Sequence, residues 1–96
     1  MARPPIHPGE ILADELEELN MSAADLAQAL GVSTELVTQV LLGERSLAAD
    51  TALRLGRWFG TGPELWLNLQ KSYELRLAEQ TSGEEIRRTV VPRSAA

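Results

Sequence analysis

The sequence contains no cysteine. That excludes disulfides, thiolate metal sites and cysteine nucleophiles, and it suits a cytoplasmic protein. No stretch approaches the eighteen or so apolar residues of a membrane span, so no membrane partner is expected. The opening "MARPPIHPGE" lacks the apolar core of a signal peptide. There is one histidine, His7. It stands beside Pro8 and reads as a helix cap rather than a base or a metal ligand. No glycine-rich phosphate loop is present, and no serine has a base within a recognisable motif. An enzyme is therefore not expected, nor is a metal or an organic cofactor.

Positive charge is also scarce where it would be useful. The net charge is −5, which is awkward for a nucleic-acid binder because phosphate affinity comes largely from lysine and arginine. The distribution matters more than the sum. Residues 1–50 hold nine acids against Arg3 and Arg45, a net of −7, while residues 51–96 hold seven bases against five acids, a net of +2. Acid is concentrated early in the chain, so a basic surface elsewhere is not excluded.

What is present reads as a series of capped helices. Gly31, Gly43 and Gly60 each follow an apolar run, where a helix needs a left-handed terminator. "TGPE" at 61–64 has the form of a capping box with Thr61 as N-cap, and "SAAD" at 22–25 is a looser version. Five helices are predicted, at about 8–19, 23–30, 34–42, 49–59 and 62–79. Their expected inward residues are Leu12, Leu16 and Leu19; Leu26, Ala27 and Leu30; Val37, Val40 and Leu41; and Ala52, Leu53, Gly56 and Phe59. "TSGEE" should break the last helix. This divides the chain into a domain over 1–79 and a tail over 80–96, in which "IRRTVV" is a candidate short C-terminal β-strand.

Two short helices joined by Gly31, Val32 and Ser33 have the helix-turn-helix spacing. Small Ala27 lets the following helix cross closely, and Val32 plugs the core beneath the turn. The third helix would then present its N-terminal turn to the major groove of duplex DNA. Its outward face carries Ser33, Thr34, Glu35, Thr38 and Gln39, then Leu42. Gln39 can bond an adenine edge, and the threonines can meet base edges or a thymine methyl. Any small helical protein contains such a pair, so the pattern alone leaves the function open.

"IHPGEIL", "LAQALGVS", "GERSLAADTALRLGRWFG" and "PELWLNLQKSYEL", in order over residues 5–77, resemble the HigA-type antitoxins. These are helix-turn-helix regulators of the Xre superfamily. The resemblance implies an all-α, five-helix Xre/lambda-repressor-like domain. It also implies a homodimer that binds operator DNA and neutralises a small basic RNase toxin of the RelE-like, HigB type. Carried onto this chain, the family's DNA surface falls on Gln28, Ser33, Thr34, Thr38, Gln39 and Arg45. The chain departs from the family at Leu42, where asparagine is usual, at Glu44, often basic, and at Ala48, usually a serine or threonine cap.

All four aromatic residues (Trp58, Phe59, Trp66, Tyr73) lie within one short window. In the last helix one apolar stripe runs through Leu65 or Trp66, Leu69 and Tyr73, while Leu67 and Leu75 fall outside it. A surface helix normally has one stripe. Either a second chain covers Leu67 and Leu75 in a dimer interface, or a tryptophan-rich helix simply wraps a small core. On the first helix Asp14, Glu17 and Glu18 point away from the leucines. They suit docking to a basic toxin, or they only keep the protein soluble. The other functional class is a stand-alone Xre-type regulator without a toxin. A neighbouring reading frame for a short basic protein separates the two.

Overall fold

A computed structural model describes residues 4–93. They form five helices and, among the described residues, no strand: α1 (Pro8–Leu19), α2 (Ala23–Leu30), α3 (Thr34–Leu41), α4 (Ala49–Phe59) and α5 (Glu64–Thr89).

The caps explain most of the boundaries. Nδ1 of His7 accepts the Gly9 amide at 2.9 Å, and Glu10 Oε2 accepts the His7 amide at 3.2 Å. This reciprocal box starts α1, with Pro8 placed where no donor is lost. Ser22 and Asp25 form a second box, both bonds 3.0 Å. The α2 helix ends at Gly31 with φ +73°, a left-handed turn that a Cβ would strain. Ser33 Oγ then caps α3 by accepting the Leu36 amide at 3.1 Å. The α4 helix has no side-chain cap, because Ala48 stands at its start.

The expected capping box at Thr61 does not form. Pro63 occupies the N-cap of α5 and makes no side-chain cap bond. The amides of Gly60, Thr61 and Gly62 all turn back to the Gly56 carbonyl, at 2.9, 3.1 and 3.3 Å. Thr61 is thus held in the wrap that ends α4, too early to begin α5.

The end of α5 also differs from expectation. The helix passes through "TSGEE" without a break and continues to Thr89, so Ile86–Thr89 is helical and no strand forms. Thr81 and Thr89 donate their hydroxyls to the carbonyls of Leu77 and Glu85, at 2.7 and 2.8 Å. Arg87 pairs with Glu79, and Arg88 with Glu85. The helix satisfies these groups locally, whereas a lone strand has nothing to pair with. Residues 94–96 of the expected tail lie outside the described residues.

One core cluster joins all five helices: Leu12, Leu16, Leu26, Ala27, Leu30, Val37, Val40, Leu47, Ala52, Leu55 and Trp66. Two expected core leucines are out. Leu19 is 48% exposed, because the chain turns left-handed immediately after it at Asn20. Leu53 is 59% exposed, and its place is taken by Leu55. In α4 the buried set is Thr51, Ala52, Leu55 and Gly56, a face repeating at i, i+4. The aromatic window marks the seam between α4 and α5. Trp66 is buried, Phe59 tilts against it at 5.5 Å, and Trp58 sits edge-on outside Phe59 at 4.8 Å. Trp58 thus flanks the core instead of closing it.

Candidate nucleic-acid interface

The recognition helix α3 is fixed from three sides. Val37 and Val40 insert into the core, 2% and 1% exposed. The first turn of α1 presses on its end so closely that a Cβ at Gly9 would lie 1.9 Å from the Val40 carbonyl oxygen. Below the turn, Arg54 of α4 donates from Nη1 to the Leu30 carbonyl at 2.8 Å and to that of Gly31 at 3.4 Å, while its Nε bonds Asp50 at 2.9 Å. These bonds answer carbonyls left without helical partners at the end of α2. Arg54 was not singled out from the sequence, where the available signal was its i, i+4 spacing from Asp50. Its reach to the turn depends on tertiary packing.

Outside this frame lies a polar surface. Gln28, Ser33, Thr34 and Thr38 are all exposed. Ser33 Oγ is committed as the α3 cap, leaving its own proton to donate. Gln39 is half-buried and occupies the middle of a chain of polar side chains. Its Oε1 accepts Arg45 Nε at 2.7 Å, and its Nε2 donates to Glu35 Oε2 at 3.3 Å. The structure thereby brings Gln39 and Arg45 together across six positions of sequence and adds Glu35 to them. Leu42, 66% exposed, borders the same surface at the end of α3.

Asp25, at the start of α2, has its carboxyl held below the ordinary 3.8. The Ser22 backbone amide is the main cause and the Ser22 hydroxyl the second, since both bonds favour the charged form.

The residue types and geometry are those of a groove-reading helix: short polar side chains, one amide able to bond a base edge bidentately, and an arginine on the following loop. The helix-turn-helix family profile matches residues 12–66. Virulence-associated protein I of Dichelobacter nodosus is 49% identical over 78 residues, which is 80% of this chain and 72% of that protein. An addiction module antidote protein of the HigA family from Coxiella burnetii superposes with a TM-score of 0.93 at 53% identity, covering 95% of this chain and all of the other. The chain belongs to the HigA-like branch of the Xre-type helix-turn-helix family. A further HigA-type neighbour is the Pseudomonas aeruginosa antitoxin HigA, solved with the higBA promoter. It has a TM-score of 0.90 and 45% identity, over 94% of this chain and 99% of that one. The family is one of regulators and antitoxins, not of enzymes.

Two other sets of residues in this HigA-type chain lie away from α3. Asp14, Glu17 and Glu18 are exposed along α1, and none of them takes part in an ion pair among the described residues. On α5 the two leucines outside the first stripe separate. Leu67 is half-buried and packs on its own core, whereas Leu75 is 65% exposed. Gln70, 6% exposed, was not read from the sequence as a buried residue. The available signal was a polar side chain on the stripe between Trp66 and Tyr73. Among the described residues no group of three His, Asp or Glu side chains gathers as a metal site, and no helix is long and apolar enough to cross a membrane.

Proposed function

We propose that this chain is the antitoxin of a type II toxin–antitoxin pair. In this reading it represses its own operon as a dimer bound to operator DNA through α3, and it captures a small basic RNase toxin of the RelE-like, HigB type. The supporting observation is the polar surface over Gln28, Thr34, Thr38, Gln39 and Arg45, held on a rigid helix-turn-helix frame, in a chain 45% identical to an antitoxin solved with its promoter. Two copies are needed because one recognition helix spans only a half-site. The exposed Leu75 and Ile86, eleven positions apart and so on one face of the outer half of α5, supply an apolar surface for the second copy. The unpaired acids Asp14, Glu17 and Glu18 on α1 supply the complement to a basic toxin.

The test is co-expression with the adjacent short reading frame. The two proteins should co-purify, and the complex or the free dimer should retard the DNA upstream of the pair. Reversal of Asp14, Glu17 and Glu18 to lysine should slow toxin capture by at least about tenfold at low salt, because complementary charge acts mainly on the association rate. Operator binding should survive that triple change. DNA binding without any co-purifying partner would instead identify a stand-alone Xre-type regulator.

A further inference from the structure

Gln70 occupies a core position that an apolar residue would fill at less cost, since an amide loses its water on burial. Both of its polar ends are used. Oε1 accepts the amide of Leu47 at 2.8 Å, and Nε2 donates to Glu74 Oε2 at 2.7 Å. Leu47 ends the loop between α3 and α4, and its side chain is 2% exposed. At the other end of that loop, Gly43 lies against His7: a Cβ there would sit 3.8 Å from the ring. His7 in turn meets Tyr73 of α5 edge-on at 4.9 Å. The loop is therefore held to α5 by the hydrogen bond at Leu47, and near Gly43 it passes beside His7, which packs on α5. Arg45 stands midway between these two positions and reaches forward to Gln39.

We infer that Gln70 is a positioning residue for DNA binding: by holding the Leu47 amide it fixes the loop that places Arg45 beside Gln39 and on the DNA. The inference rests on the DNA-binding reading above and adds to it a residue of α5 that touches no DNA. The physical reason is preorganisation. A loop residue that samples several positions binds with an affinity reduced by the fraction of time it spends in the competent one. Glu74 contributes by orienting the Gln70 amide so that oxygen, not nitrogen, faces Leu47.

The experiment titrates the full chain onto a mixed-sequence duplex over a series of salt concentrations. The salt slope reads phosphate contacts and needs no knowledge of the operator. Arg45→Ala sets the scale, with a slope shallower by about one. Gln70→Met keeps an unbranched side chain in the core and removes both hydrogen bonds. It should remain folded, bind roughly fivefold more weakly and show a slope approaching that of Arg45→Ala. The exchanged pair Gln70→Glu/Glu74→Gln keeps an acceptor toward Leu47 and a donor–acceptor bond between positions 70 and 74, so it should restore the wild-type slope. Loss of stability alone leaves the slope of the folded protein unchanged. A folded Gln70→Met with the wild-type slope overturns the inference, as does an exchanged pair that behaves like Gln70→Met. Should Gln70→Met not fold, amide exchange in the wild-type protein decides. The Leu47 amide should be protected well beyond those of Ser46 and Ala48, and equal, fast exchange overturns the inference. An inert Arg45→Ala would reject the loop's contact with DNA itself, a result separate from any effect of Gln70.

Discussion

Arg45 donates from Nε to Oε1 of Gln39 at 2.7 Å, joining the loop after α3 to the middle of the recognition helix. The bond leaves the guanidinium's outer nitrogens for phosphate. It also fixes the Gln39 amide so that its nitrogen faces Glu35, at 3.3 Å. The amide oxygen keeps a second lone pair and the amide nitrogen a second proton, so Gln39 retains one acceptor and one donor site for an adenine edge while both bonds stand. The Glu35–Gln39–Arg45 chain thus sets the orientation of the residue best suited to read sequence.

Removing the proposed reader, Gln39, should lose discrimination more than adhesion. Gln39→Ala should cost about 1–3 kcal/mol on the preferred site, with relaxed preference at one base pair and little change on random duplex. Selection of sites from a randomised library by wild type and mutant checks this. Identical selected sites would move the base contact elsewhere on α3.

The approach of α1 to α3 leaves no room for a side chain at residue 9. Gly9→Ala places a Cβ 1.9 Å from the Val40 carbonyl oxygen, a backbone atom that cannot swing aside. The expected loss is about 3 kcal/mol or more, at the upper end for overpacking. Urea unfolding measures it. A loss below about 1 kcal/mol would show that α1 can slide along α3.

The pH dependence of the α2 cap follows from Asp25. Its folded carboxyl titrates below the ordinary 3.8, chiefly because the Ser22 amide bonds the charged form. A carboxyl lowered on folding stabilises the fold above its unfolded value, and that contribution fades as pH falls through the folded value. Wild type should therefore be more stable than Asp25→Ala at neutral pH, with the gap narrowing once pH drops below 3.8. Paired thermal melts at neutral and acid pH check this, and a gap independent of pH would discard it.

Leu75 is 65% exposed on the part of α5 that stands beyond the core. Leu75→Glu should leave the monomer fold intact, with unchanged helicity, while shifting sedimentation from dimer to monomer and weakening binding to a two-half-site operator. A wild-type protein that sediments as a monomer at micromolar concentration would remove the basis for this.

Much of this protein was determined by local sequence. Gly31 between two apolar runs gives a left-handed stop wherever the chain folds, and Ser22, Ser33 and His7 reach only their own backbone neighbours, so their caps were legible one residue at a time. The exposed face of α3 followed from the helical period once Val37 and Val40 were placed inward. Tertiary structure decided the rest, because those choices depend on partners distant in the chain. Leu55 and not Leu53 is buried, since both fit a helical period and only the position of α4 on its neighbours selects between them. Thr61 has the sequence of a cap, yet three successive amides converge on the Gly56 carbonyl and hold it in the end of α4. Local signals in "TSGEE" favoured a break, and bonds made along the helix, from the Thr81 hydroxyl to the Leu77 carbonyl and between Arg87 and Glu79 two turns apart, accompany its continuation. Gln70 shows the limit most clearly. A glutamine between two aromatic positions looks like a surface residue until the Leu47 amide, twenty-three positions away, arrives opposite it, and the cost of leaving that amide unpaired in the core keeps the glutamine inside.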